Sequence, residues 1–74
     1  MGDKKLQNTI KVQRAKQNLT QGQLAELIGV TRKTVNTIEN GVYVPSTYLA
    51  LKMSIVLNVS VEELFQLEEK LASD

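Results

Sequence analysis

Apolar residues recur three and four positions apart along most of the chain, and the breaks between the periodic stretches carry Asn or Gly. Leu24, Ala25 and Ile28 share one helical face, Val35 and Ile38 a second, and Leu49, Ala50, Met53 and Leu57 a third. Ile10 on one side and Leu64 with Phe65 on the other complete a single predicted core. Helix starts are marked by side chains that can accept from a first-turn amide. Thr20 has Gln23 three residues on and Leu19 and Leu24 as an apolar clasp, and Ser60 repeats the pattern with Glu63, Val59 and Leu64. Thr31 has the clasp, Val30 with Val35, but Thr34 where the box needs Glu or Gln; Ser46 after Pro45 is a fourth cap, with Thr47 as its competitor. Asn18, Gly29, Gly41 and Asn58 stand where a left-handed residue would stop a helix. The pattern predicts helices over 8–17, 21–28, 32–40, 47–57 and 61–67, an all-α domain of five helices. The alternation in "LFQLEE" also admits a short C-terminal strand.

The second and third predicted helices are separated only by Gly29, Val30 and Thr31. A turn this short, with glycine, crosses two helices steeply and lets the later one project. If Val35 and Ile38 face inward, Arg32, Lys33, Asn36 and Thr37 face outward. Those are the side chains that address base edges in a major groove: Arg or Lys to guanine, Asn to adenine, Thr to a thymine methyl or a polar edge. Two cations at a helix N-terminus oppose the macrodipole, a conflict that a bound anion would relieve. Gln21 heads the preceding helix, where free amides favour a phosphate oxygen, and its side chain is also placed to brace the third helix. Asn40, Tyr43, Lys11 and Lys16 are further candidates for contact with a nucleic-acid backbone.

Charge sharpens this picture. The net charge is +1, but residues 1–37 hold seven basic residues against two acidic ones, and residues 38–74 two against six. One basic half suits a polyanion. The absence of Cys and His removes disulfides, thiolate zinc sites and the commonest general acid–base group. Glu62 and Glu63 are adjacent, so they face different directions on a helix, and no Gly-rich phosphate loop or activated nucleophile accompanies them. No enzymatic role, cofactor or metal is expected. No apolar run reaches the roughly 20 residues that span a bilayer, and the first residues lack the apolar centre of a secretory signal, so a cytoplasmic, nucleoid-associated protein is expected.

The segments "LTQGQLAELIGVTRKTVNTIENG", "VPS", "LALK" and "LNVSVEELF" resemble the phage-repressor and Cro-type, or XRE-type, helix-turn-helix family of transcription regulators, especially small stand-alone members. The resemblance runs over about residues 9–67. It divides the chain into an N-terminal extension, 1–8, partly disordered, a DNA-binding domain, 9–67, and a tail, 68–74. It implies a five-helix lambda-repressor-like fold whose recognition helix, residues 32–40, enters the major groove of an operator. Gln21 then matches a phosphate-contacting position, Arg32, Lys33 and Thr37 base-facing positions with Asn36 beside them, and Thr34 and Asn40 backbone-contacting positions. Arg14 and Glu39 match a pair that links the first helix to the end of the third. Gln13 stands where an apolar residue is frequent, and Val42 where Lys often follows "ENG", which removes one phosphate contact.

Leu27, Ile55, Leu67, Leu71 and Val12 exceed what a core of this size needs. Contiguous exposed apolar surface marks interfaces, and family members commonly bind as two-fold dimers. A homodimer through Ile55, Phe65, Leu67 and Leu71 is expected, with the tail packing as helix, pairing as a strand across the dimer, or fraying. The expected function is sequence-specific binding of double-stranded DNA as a transcriptional repressor. The competing reading is an antitoxin-like module whose apolar surface covers another protein, with DNA binding secondary.

Overall fold

The computed structural model describes residues 6–67. Along them run strand β1 (Leu6–Asn8), helices α1 (Ile10–Lys16), α2 (Gln21–Ile28), α3 (Arg32–Glu39), α4 (Thr47–Leu57) and α5 (Val61–Leu64), and strand β2 (Phe65–Leu67). The core is the predicted one: Ile10, Leu24, Ala25, Ile28, Val35, Ile38, Leu49, Met53, Leu57 and Leu64 are buried in one cluster, and Phe65 packs against it. Ala50 is only half-buried.

All four predicted caps form. The hydroxyls of Thr20, Thr31, Ser46 and Ser60 accept from the amides of Gln23, Thr34, Leu49 and Glu63, and Gln23 and Glu63 close reciprocal boxes. Four helix ends also share one closure. Asn18, Gly29, Gly41 and Asn58 all have φ between 57° and 80°. The next N–H then reaches back to a carbonyl of the final turn: Leu19 to Arg14 at 2.9 Å, Val30 to Ala25 at 3.0 Å, Val42 to Thr37 at 2.9 Å and Val59 to Ser54 at 3.2 Å. This closure satisfies carbonyls that the helix leaves open. Lys52 adds a tie from α4, donating to the Ile28 carbonyl at 3.3 Å, where the α2 dipole favours a cation.

The two ends of the described chain depart from the helical pattern. β1 and β2 pair antiparallel, Leu6 opposite Leu67, Gln7 opposite Gln66 and Asn8 opposite Phe65. Residues 6–8, expected in an extension, are therefore part of the folded body, and β2 pairs with them within the chain. Helix α5 stops at Leu64, three residues before the pattern's end, because other groups occupy its carbonyls. Thr9 N–H bonds the Leu64 carbonyl at 2.9 Å, Thr9 Oγ1 donates to the Glu63 carbonyl at 2.8 Å, and the Gln66 amide donates to Glu62 and Glu63 at 3.0 and 2.8 Å. Residues 1–5 and 68–74, including Leu71, lie outside the described residues.

Candidate nucleic-acid interface

The tight turn after α2 makes the site. Gly29 takes φ 80°, ψ 31°, and its N–H and that of Val30 both bond the Ala25 carbonyl. The chain reverses there, and Thr31 caps α3 two residues later. Val35 and Ile38 are buried, so the faces between them turn outward. Arg32, Lys33 and Asn36 are exposed, and Arg32 and Lys33 make no side-chain hydrogen bond or ion pair among the described residues.

The other end of α3 is fastened. Arg14 Nε lies 2.7 Å from Glu39 Oε2 and its Nη2 3.2 Å from Oε1, while Nη1 donates to the Leu19 carbonyl at 2.9 Å. These side chains are 14% and 7% exposed, so the pair is largely shielded from water. Gln21 donates to Glu39 Oε1 at 3.0 Å and to Asn36 Oδ1 at 3.2 Å. Both hydrogens of its amide are thus used on α3, and what position 21 leaves for an anion is the backbone N–H at the head of α2.

Asn8 is a member of this assembly that sequence reasoning did not find. Its Nδ2 donates to the carbonyls of Ile38 at 3.0 Å and Glu39 at 3.4 Å, while its Oδ1 accepts from Ile10 N–H at 3.1 Å. One side chain therefore caps the start of α1 and the end of α3. An Asn before a helix signals the first role; nothing local signals the second.

Thr37 differs from expectation. It is half-buried, and its hydroxyl donates to the Thr34 carbonyl at 2.9 Å instead of facing outward. Thr34 Oγ1 lies 3.0 Å from Thr31 Oγ1. Lys33, Thr34, Thr37, Val42 and Tyr43 line an open recess beside α3. Asn40 and Tyr43 are exposed beyond the helix, and Lys11 is exposed on α1 with no hydrogen bond to α3 among the described residues. Gln13 is half-buried and reaches Thr9 Oγ1 at 3.4 Å, which accommodates the amide where an apolar residue is frequent.

Of the expected interface residues, Ile55 and Leu67 are exposed, at 78% and 59%, whereas Phe65 is half-buried against the core. Tyr48, Leu51 and Ile55 share an exposed face of α4. No helix among the described residues is long and apolar enough to cross a membrane, and among them no His, Cys, Asp and Glu group could hold a metal ion.

Comparison with known proteins agrees with this geometry. A helix-turn-helix family model matches residues 10–64. An uncharacterised HTH-type transcriptional regulator of Bacillus subtilis is 45% identical over 65 residues, covering 88% of this chain and 98% of the relative. The ImmF control region 10 kDa protein of Bacillus phage phi105 is 36% identical over 61 residues, 82% of this chain and 68% of the relative. Among solved structures, the restriction-modification controller protein C.AhdI of Aeromonas hydrophila superposes with a TM-score of 0.70 at 32% identity, over 76% of this chain and 85% of that one.

Proposed function

The chain belongs to the XRE-type helix-turn-helix family and is a DNA-binding transcriptional regulator; from that premise we propose that it is a sequence-specific repressor acting as a homodimer. The observation that carries the reading is the exposed Arg32 and Lys33, without an ion-pair partner among the described residues, at the leading end of a helix whose far end is fastened to the body. Helix α3 enters the major groove. Arg32, Lys33 and Asn36 address base edges, with Thr37 beside them. The head of α2 at Gln21, with Thr34, Asn40, the Tyr43 hydroxyl and Lys11, meets phosphates and sets register.

Dimerisation doubles the readout. Two copies present α3 to half-sites roughly 34 Å apart along one duplex face. The exposed Ile55 and Leu67 support an apolar contact between copies, with Leu71 as its expected extension. Occupancy of the operator excludes polymerase, and the protein works in the cytoplasm, at the nucleoid.

Selection of sites from random duplexes, followed by affinity measurements at fixed salt, tests this. Arg32→Ala is expected to cost about 1–3 kcal/mol at one base position and to relax specificity there, whereas Lys11→Ala weakens all duplexes similarly. Binding should fall steeply with salt. An Arg32→Ala variant that keeps the parent's sequence preference removes the residue assignment. The exposed α4 face favours one other reading, a module that covers a partner protein. Recovery of a stable heterologous complex, with no salt-sensitive DNA binding, would select it.

A further inference from the structure

Four helices close on a left-handed residue followed by an apolar one, yet the four apolar side chains do not share a fate. Leu19, Val30 and Val59 pack against the core, while Val42, which follows α3, is 78% exposed. Core packing accounts for three of them. Val42 instead forms a wall of the recess with Tyr43, opposite Lys33, Thr34 and Thr37.

That recess is apolar despite its two threonines. The Thr34 hydroxyl is paired with Thr31, and the Thr37 hydroxyl spends its proton on the Thr34 carbonyl, so Thr37 offers the recess its γ-methyl and no donor. It is also preformed: Val42 N–H and Tyr43 N–H both bond the Thr37 carbonyl, at 2.9 and 3.2 Å, which fixes the loop against the helix. Lys33 and Thr37 are four residues apart on one face of α3, so the recess opens on the side assigned to the groove.

A major-groove edge presents donors, acceptors and one apolar group, the C5-methyl of thymine; a 5-methylcytosine presents the same group from the same ring carbon. We propose that Thr37, Val42 and Tyr43 form a specificity pocket for a pyrimidine C5-methyl, with the Lys33 cation on its rim complementing the adjoining polyanion. The assignment rests on α3 being the recognition helix.

The test uses the full chain and its selected duplex. Each thymine is replaced in turn by deoxyuridine, each cytosine by 5-methylcytosine, and Kd is measured at one salt concentration. The expected result is one position per half-site at which the methyl strengthens binding about fourfold, the factor for burying one such group. A uracil effect identifies thymine as the source, a gain on methylation identifies cytosine. In Val42→Ala and in Thr37→Ser, which keeps the hydroxyl and loses the methyl, the ratio between methylated and unmethylated duplexes should collapse towards one. Tight, salt-sensitive binding with no methyl effect at any position, or an effect unchanged in both variants, overturns the pocket while leaving α3 as the reader. If no duplex is enriched at all, the DNA reading falls and takes the pocket with it.

Discussion

The two ends of α3 both carry charge of the sign that its dipole disfavours, and the protein treats them differently. At the C-terminal end Glu39 adds negative charge to a negative pole, and Arg14 neutralises it through a two-point contact while Asn8 occupies the last carbonyls. At the N-terminal end Arg32 and Lys33 add positive charge to a positive pole, and no acidic side chain pairs with them among the described residues. The first conflict is resolved inside the fold; the second meets no counter-charge among the described residues, at the end where the proposed function sets a phosphate backbone. A helix fixed at its far end and unsatisfied at its leading end meets an anion without first having to be ordered, which lowers the cost of binding.

The strongest way to break this comparison is at the fastened end. Glu39→Ala leaves a shielded guanidinium without its counter-charge and should destabilise the domain by about 3 kcal/mol, measured as a drop in urea midpoint at constant m-value. Arg32→Ala should leave stability within about 0.5 kcal/mol of the parent; equal losses from both would erase the difference between the ends. Next in size is Asn8→Ala, which strips donors from two α3 carbonyls and an acceptor from Ile10 N–H, expected at about 1–2 kcal/mol. Asn8→Asp keeps the acceptor but sets a carboxylate against those carbonyls. A variant no less stable than the parent would show that Asn8 does not hold α3. The smallest contrast concerns the closures: Val59→Ala should cost about 1 kcal/mol through lost burial, and Val42→Ala under about 0.5 kcal/mol, since that side chain is already exposed. Thermal unfolding of the two variants side by side would resolve it.

The site was legible to unequal depths. Arg32 and Lys33 could be placed outward because Val35 and Ile38 define the buried phase of α3, and that phase needs only the spacing of apolar residues. Thr37 shows where spacing stops informing: it lies on the outward arc, yet its hydroxyl turns back to Thr34, a choice of rotamer that periodicity does not encode. The sequence allows Gln21 to be both anchor and brace, and only the folded geometry commits both of its amide hydrogens to α3.

Local chemistry in the chain was sufficient for the helix starts and stops. A cap hydroxyl meets an amide three residues away, as at Thr20 and Ser60, and a left-handed stop requires Asn or Gly whatever surrounds it. Packing had to decide the rest. The Thr9 bonds at the end of α5, the pairing of Leu6–Asn8 with Phe65–Leu67 and the grip of Asn8 on α3 all join groups 30 or more residues apart. Such partners meet only after the apolar faces have brought the helices together, because side-chain identity sets what a group can bond and the assembled core sets which group it reaches.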